Sequence, residues 1–358
     1  MKKTVFVLLS VVLVVAFALT ACAPAVTPQA TAAPAAEATA APAADAPAKE
    51  AGGKLTIGMS WAHKNDSLFY AMEQTLTDEM AAMAAERGYD SVEWIHVIAN
   101  DDAQKQAADI EDLITKDVDM IVSYAFDSEA IKSSIKSAHD AGIPFICYDR
   151  NASEGGEQPD AFIGLDTVDQ AYTTGKALFQ AMKDAGETPT SVISIIGSLS
   201  DQNALNRIEG FKKAADEFGV EIKQEVPSEW DANTALSGFS AAFQGNPDCN
   251  TVLIASDFII TSVQSVLEKA GKWIPAGEPG HIWVGSQDVF PVGLQFIRDG
   301  FIDFDTAYDL ANMAKEFAPV AYDLLEGKAP AKPIVLVGGN VISKENVTTE
   351  KLWAADYE

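Results

Sequence analysis

The sequence alternates repeatedly between short apolar runs and longer segments with helical hydrophobic spacing. The run Leu55 to Met59 predicts a buried strand, and the apolar residues between Phe69 and Met83 recur at spacings of three and four, which predicts a helix. The same order begins again after a polar interruption at 151–160. Strands that alternate with helices indicate βαβ units and mostly parallel sheets. We therefore predict an α/β protein with two doubly wound parallel-sheet lobes.

The pattern also predicts where the elements and the lobes begin and end. Further strands are predicted at about 92–98, 120–124, 144–148, 161–165, 191–196, 220–226, 251–255, 281–285, 301–307 and 334–337. Helices are predicted at about 167–185, 202–218, 232–245, 257–271 and 290–299, with another ending near 326. We place three crossovers near 155–166, 306–310 and 338–340. Lobe one then comprises 54–165 plus 309–338, and lobe two comprises 166–308 plus 339–358.

The first 53 residues have the composition of an export and tethering segment. Two lysines precede an apolar run, Val5 to Leu19, that is shorter than the roughly 20 residues of a membrane-spanning helix. The residues Leu19-Thr20-Ala21-Cys22 resemble a bacterial lipobox, so we expect a lipoprotein signal peptide at 1–21 and lipidation of Cys22. An ordinary signal peptide is the alternative. Residues 22–53 are rich in alanine and proline, which suits a disordered linker.

Charge and missing motifs exclude several classes of function. The formal net charge is −27, and the chain has only four arginines. This composition opposes nucleic-acid binding, which requires a cluster of basic residues. No nucleotide-binding, metalloprotease or nucleophile-elbow motif is present, and the four histidines lack metal-ligand spacing. We therefore expect no enzyme activity, cofactor or metal. Cys147 and Cys249 are expected to be free thiols.

Polar and aromatic residues follow the predicted strands, where ligands bind in open α/β sheets. These residues are Asp149, Arg150, Arg207, Trp230, Asp231, Ser256, Asp257, Gln287 and Asp288. Carboxylates and an arginine fork suit the adjacent hydroxyls of a sugar, while an aromatic ring packs on its C–H face. The sequence therefore predicts a sugar site at the strand ends.

Residues from about 54 to 337 resemble the ribose-type periplasmic sugar-binding proteins, the type I fold of bacterial solute receptors. The segment that ends in Asp149-Arg150 is similar to a family strand ending in Asp-Arg, and the segment 207–211 is similar to its Arg-x-x-Gly-Phe helix. The segment 65–69 stands where the family has Asn-Asn-Pro-Phe-Phe, which implies that Asp66 and Phe69 contact ligand. Trp230 would replace the aromatic residue of the second lobe.

Other positions depart from the family pattern. Ser256-Asp257 stands where ribose receptors often have Asn-Asp, and Gly285-Ser286-Gln287-Asp288 stands where they have Gly-Phe-Asp. Tyr308 lies near the position of a glutamine in those receptors. A single buried hydrogen-bonding partner is worth about 1–3 kcal/mol, so these changes affect which sugar binds.

Four of the expected site residues have a structural alternative. Arg150 could brace its loop through a carboxylate, Arg207 could form a surface ion pair, Phe69 could be core, and Trp230 could cover a loop. Trp61 and Lys64 lie in the first loop and could also face ligand.

The resemblance implies an extracytoplasmic receptor, in the periplasm or on the outer face of the cytoplasmic membrane. We expect it to be a monomer that captures a monosaccharide or cyclic polyol between its lobes and delivers it to an ABC transporter permease. A receptor for a nucleoside or furanosyl signal molecule is the main alternative, and a secreted hydrolase is a second one.

Overall fold

The computed structural model describes residues 52–64 and 66–357. The signal peptide, Cys22, most of the linker and Asn65 lie outside these residues. Within the described part, no helix combines the length and apolarity that crossing a membrane requires.

The described residues form two six-stranded sheets. Sheet one contains β1 (Lys54–Trp61), β2 (Ser91–Ile98), β3 (Met120–Tyr124), β4 (Phe145–Tyr148), β5 (Ala161–Leu165) and β11 (Ile334–Val337). Sheet two contains β6 (Val192–Ile196), β7 (Ile222–Pro227), β8 (Thr251–Ile254), β9 (Trp283–Asp288), β10 (Phe304–Ala307) and β12 (Val341–Ile342). The strand orders are β11-β5-β4-β3-β1-β2 and β12-β10-β9-β8-β6-β7, which are the same winding. All pairs are parallel except β10 with β12. The predicted fold class is confirmed.

Nine α-helices of the described residues cover the faces of the sheets. They are α1 (Ser67–Ala84), α2 (Ala103–Thr115), α3 (Ile131–Asp140), α4 (Thr167–Asp184), α5 (Gln202–Phe218), α6 (Ala232–Gly245), α7 (Ile260–Lys269), α8 (Pro291–Asp299) and α9 (Leu310–Leu325). Six of them, α1, α2, α4, α5, α6 and α9, begin after an aspartate whose side chain accepts a hydrogen bond from a first-turn N–H. These caps satisfy donors that the helix leaves unpaired.

The apolar cores lie on both faces of each sheet, as a doubly wound fold requires. One cluster packs α1 and α9 against sheet one, and a second packs α2 and α3 on its other face. In sheet two, α6, α7 and α8 cover one face while α4 and α5 cover the other. Cys147 and Cys249 are buried and free, as predicted.

The chain passes between the sheets three times, between β5 and α4, between β10 and α9, and between β11 and β12. Sheet membership therefore divides the described residues near 166, 308 and 338–340. We keep the lobe boundaries given above as a proposal on that basis.

The structure corrects three details of the predicted elements. Strand β9 continues to Asp288, so Gln287 and Asp288 lie inside the strand rather than after it, because β10 pairs with it through this point. The helix expected at 257–271 begins as a 3-10 turn at Asp257–Ile259 before α7. Helix α3 was not predicted, because it spans only 10 residues and its apolar face consists of Ile131, Ile135 and Ala138.

Candidate functional site

A cavity of about 530 Å³ lies where the carboxyl ends of the strands of both sheets meet. Eight of the eleven expected ligand residues line it, namely Asp66, Phe69, Arg150, Arg207, Trp230, Ser256, Asp288 and Tyr308. The other lining residues are His63, Leu68, Asp101, Tyr124, Phe126, Ser198, Asp201, Asn203, Glu229, Asp231, Phe258 and Phe290. The cavity thus combines many aromatic rings with carboxylates and two arginines, which is the chemistry that a polyhydroxylated ligand requires.

Asp66 and Phe69 stand at the start of α1, on the side of sheet one. Asp66 caps the helix by accepting a hydrogen bond from the Leu68 N–H (2.9 Å). Burial raises the pKa of its carboxyl, and the bond from Leu68 opposes that shift. Phe69 is 2% exposed and packs edge-on against Tyr124, with ring centroids 5.1 Å apart. Phe69 therefore belongs both to the core of this lobe and to the cavity wall.

Arg150 is buried and uses most of its donors within the protein. Nη1 donates to the carbonyl oxygens of Ala125 (3.0 Å) and Phe126 (3.1 Å). Nη2 donates to the Tyr124 hydroxyl (3.3 Å) and pairs with Asp201 Oδ2 (2.8 Å). The guanidinium also lies over the Tyr124 ring, 4.8 Å from its centroid. The carboxylate that pairs with Arg150 therefore belongs to the N-cap of α5 in the other lobe, and not to the loop that follows β4.

Arg207 lines the cavity and uses only part of its guanidinium for hydrogen bonds within the protein. Its Nε and Nη2 both donate to Gln170 Oε1 (3.1 and 3.0 Å), and Nη2 also bonds Asp288 Oδ1 (2.5 Å). Nη1 donates to no other group of the described residues. Burial opposes the charge of Arg207, but Asp288 and further carboxylates outweigh it and raise the pKa. Arg207 can therefore remain charged and offer Nη1 to a ligand.

Asp288 is held at the end of β9 in an unusual backbone conformation. Its φ is +92°, in a region that side chains other than glycine seldom adopt. The Trp353 indole N–H donates to its carbonyl oxygen (3.0 Å). Burial raises the pKa of the Asp288 carboxyl, and Arg207 opposes the shift.

Trp230 forms the opposite aromatic wall. Its indole N–H donates to Asp201 Oδ2 (2.8 Å), and its ring lies 6.2 Å from that of Phe258. The ring packs so closely on Gly197 that a Cβ at that position would lie 2.1 Å from Cζ2. Gly197 therefore provides the space that brings this ring to the cavity.

Three expected residues lie behind the cavity wall. Asp149 is fully buried, accepts a hydrogen bond from Asn203 Nδ2 (3.3 Å), and its Oδ1 has no partner among the described residues. Asp257 accepts bonds from the Phe290 N–H through both carboxylate oxygens (3.1 and 2.9 Å). Gln287 is fully buried, and neither polar atom of its amide has a partner in the part of the chain described. Their roles in ligand binding stay predictions.

Two buried carboxyls support the rear of the second lobe. Burial and the neighbouring charge of Asp305 raise the pKa of Asp257 well above its usual range. Burial and the neighbouring charge of Asp288 raise the pKa of Asp305 well above its usual range. The hydrogen bond that the Val289 N–H donates to Asp305 Oδ1 (3.2 Å) opposes this shift. The proximity of these acids favours protonation of at least one of them at neutral pH.

The sequence analysis missed several lining residues and left open whether Trp61 and Lys64 face the cavity. Tyr124 ends β3, and Asp201 caps α5, so the rule that ligands lie at strand ends could have found both. Trp61 does not line the cavity, since it is fully buried and donates to His96 Nδ1 (3.2 Å). Lys64 does not line it either and pairs with Glu73.

No group of three or more histidine, cysteine, aspartate or glutamate side chains within 52–64 and 66–357 could hold a metal ion. The polar groups at the cavity are instead suited to hydrogen bonding with an organic ligand.

The periplasmic binding protein domain family has a model that matches residues 57–329. This chain belongs to that family. Members of the family bind solutes for transport outside the cytoplasm and are not an enzyme family. The boundaries of the match include all three predicted arginine and tryptophan site residues.

Individual periplasmic binding proteins are similar over nearly the whole chain. The ribose import binding protein of Bacillus subtilis is 27% identical over 336 residues, which cover 93% of this chain and 97% of that protein. A solved Caulobacter myo-inositol binding protein has a TM-score of 0.71 at 19% identity and covers 84% of this chain and 97% of its own. A Mycobacterium smegmatis ABC transporter solute-binding protein with bound glycerol has a TM-score of 0.71 at 22% identity, covering 82% and 96%.

Proposed function

We propose that this periplasmic binding protein captures a monosaccharide or cyclic polyol between its lobes and delivers it to an ABC transporter. The main support for this proposal is the cavity of about 530 Å³ at the strand ends of both sheets. Its wall combines carboxylates, Arg207 and the rings of Phe69 and Trp230. The curated relative is named for ribose import and the solved neighbour for myo-inositol, which agree with that ligand class.

The size of the cavity and the affinity required are mutually consistent. The volume lies within the roughly 300–1,000 Å³ range of small-molecule pockets. Micromolar binding needs about −8 kcal/mol, which is about 0.7 kcal/mol for each heavy atom of a monosaccharide. An enclosed cavity in which both lobes pair with hydroxyls can supply that, whereas a single open surface cannot.

The anchor and the transport partner follow from the same proposal. Cys22 would carry a lipid, and residues 22–53 would tether the receptor to the membrane within reach of a permease. Metabolic labelling with a lipid precursor should mark the wild-type protein and leave Cys22→Ala unlabelled. Equal labelling of both would exclude this anchor.

A thermal-shift panel of pentoses, hexoses, inositols and nucleosides tests the ligand class. A ligand at 100 times its Kd should add about 2.7 kcal/mol to the free energy of unfolding. We expect a clear shift from a sugar or a cyclic polyol and none from nucleosides. A shift from a nucleoside alone would replace the proposal with a nucleoside receptor.

Matched variants place that binding in the cavity. Arg207→Met should abolish the shift produced by the best ligand, because its free Nη1 donor is lost. Asp102→Asn changes a helix cap of α2 outside the cavity and should retain the shift, since asparagine caps as well as aspartate. A shift that Arg207→Met retains in full would mean that the ligand binds elsewhere, and loss of the shift in both variants would contradict the specific role of Arg207.

A further inference from the structure

Asp201 is a carboxylate of the cavity wall that contacts side chains of both lobes. Its Oδ1 accepts the Asn203 N–H (2.9 Å) and thereby caps α5. Its Oδ2 accepts the Trp230 indole N–H (2.8 Å) from its own lobe and pairs with Arg150 Nη2 (2.8 Å) from the other lobe. Asp201 is 1% exposed, so water does not screen these contacts in this structure.

Further hydrogen bonds cross between the lobes beside this pair. The Ser128 N–H donates to the Ser200 carbonyl (3.0 Å), and the Gln202 N–H donates to Ser128 Oγ (3.1 Å). Asn203 Nδ2 donates to the Asp149 carbonyl (3.1 Å). The start of α5 is therefore attached to the strand ends of sheet one through one continuous group of contacts.

The donor inventory of Arg150 shows what the pair does to ligand recognition. A guanidinium has five N–H donors. In Arg150, Nη1 donates to two carbonyl oxygens, Nη2 donates to the Tyr124 hydroxyl, and Nη2 also forms an ion pair with Asp201 Oδ2. The remaining nitrogen, Nε, is buried and has no partner in the described structure. Both terminal nitrogens of Arg150 are therefore engaged by protein groups, whereas Nη1 of Arg207 has no hydrogen bond within the described residues.

We infer that Asp201 is a positioning residue that holds the lobes together through Arg150, fixes the Trp230 ring and keeps Arg150 from binding an anionic ligand. This role deepens the proposed function, but the attachment of the lobes does not require that a ligand be present. Opening the cleft would separate Arg150 from Asp201 and hydrate both groups, so the pair favours the closed arrangement only by the difference between those states.

The first test measures the ligand-free protein. Asp201→Asn retains the cap of α5 through its amide oxygen but removes the charge. It also replaces Oδ2, the acceptor for Trp230 and Arg150, with an NH2 group that can only donate. We expect its radius of gyration in small-angle X-ray scattering to exceed that of the wild type, with Asp102→Asn unchanged. An identical radius of gyration in wild type and Asp201→Asn would overturn the proposal that Asp201 holds the lobes together. Circular dichroism melting first establishes that each variant is folded.

The second test measures affinity for the best ligand of the thermal-shift panel by calorimetry. Asp201→Asn should raise Kd by about 10- to 100-fold, the range expected for loss of a charge-assisted hydrogen bond. Arg150→Met should have a similar effect, and the double variant should be no worse than either single one. Additive losses would contradict the pairing. Asp102→Asn should keep the wild-type Kd.

A third measurement is one that a merely structural role would not change. Because Asp201→Asn frees the Arg150 fork, binding of the sugar acid related to the best ligand should improve relative to the neutral sugar. An unchanged ratio would refute the effect on specificity. If no sugar binds the wild type, the proposed function fails. The scattering comparison still tests whether Asp201 holds the lobes together, because it needs no ligand.

Discussion

Arg150 and Arg207 are both buried and both face a carboxylate, yet they differ in the donors that they keep. Arg150 meets four acceptors of the protein, including Asp201 across the cleft. Arg207 meets Gln170 and Asp288 and keeps Nη1. The same residue type therefore serves for attachment in one lobe and is available for recognition in the other.

Asp149 should impose a measurable pH dependence on stability. Burial raises the pKa of its carboxyl to about 6, against the opposing charges of Arg150 and Arg207. Between about pH 4 and 6 the unfolded chain has lost this proton while the folded protein keeps it, so the folded state loses stability as pH rises through that window. The total is up to about 3 kcal/mol.

The comparison of wild type with Asp149→Asn isolates that contribution. In urea denaturation of the ligand-free proteins, the variant should gain stability relative to wild type between pH 4 and pH 6 and hold a constant advantage above that. A stability difference that does not change with pH would show that Asp149 titrates normally.

His281 should produce the opposite dependence. Nδ1 contacts the Ile274 carbonyl (2.7 Å) and Nε2 contacts both oxygens of Asp303 (3.0 Å), so both nitrogens face acceptors. Burial lowers its pKa, but Asp303 and Ile274 together raise it above the usual value. The stabilisation is present below about pH 6.5 and is lost as pH rises through the folded pKa.

The variant His281→Gln tests this prediction by the same denaturation method. It should be less stable than wild type at pH 5.5, and the deficit should shrink as pH rises toward 9. A deficit that is equal at all these values would indicate loss of packing without loss of a charged imidazole.

At the scale of elements, α4 and α5 pack closely because glycines lie in their contact. A Cβ at Gly210 would lie 2.2 Å from the Val168 carbonyl oxygen, and one at Gly175 would lie 2.8 Å from Ala214 Cβ. These two helices cover one face of sheet two, and α5 presents Asp201, Asn203 and Arg207. The close packing therefore determines the position of three cavity residues.

Gly210→Ala should separate these helices and destabilise the protein by about 1–3 kcal/mol, the typical cost of overpacking. It should also weaken sugar binding, because Arg207 lies one helical turn before it. Gly245→Ala is the control, since its Cβ would meet no described atom within 4 Å. Equal stability of the two variants in urea denaturation would contradict this account of the helix contact.

At the scale of the whole molecule, the acidic character of the chain continues into the cavity. Six carboxylates, Asp66, Asp101, Asp201, Glu229, Asp231 and Asp288, line it with only two arginines. Both arginines are already paired, with Asp201 and Asp288. The cavity therefore has an excess of negative charge for a ligand to meet.

We expect the wild type to discriminate against anionic sugars. A uronic acid should bind at least about 100-fold more weakly than the corresponding neutral hexose, because juxtaposed like charges cost several kcal/mol. Competition calorimetry at low and high salt measures the ratio. Comparable affinities for the acid and the neutral sugar would mean that the lining carboxylates do not face the ligand.

The two parallel sheets could be predicted from the chain alone, because the periods of strands and helices are local properties of the sequence. Strand β12 was missed because two residues are too short to show a period. The sequence analysis also found Arg207, Trp230 and Asp288, since residues near the ends of parallel strands must gather at one edge. Strand β9 was placed too early because polar residues inside it, such as Gln287, break the apolar pattern that marks a buried strand.

Which donors and acceptors meet depends on how the two lobes are arranged in space. Asp201 is 51 residues from Arg150 in sequence, and the pair forms because the two lobes bring the ends of β4 and α5 together. The same assembly placed Arg207 in the cavity wall and left Asp149, Asp257 and Gln287 outside the lining. Hydrogen-bond partners depend on distance and direction in space, which residue types and their spacing do not specify.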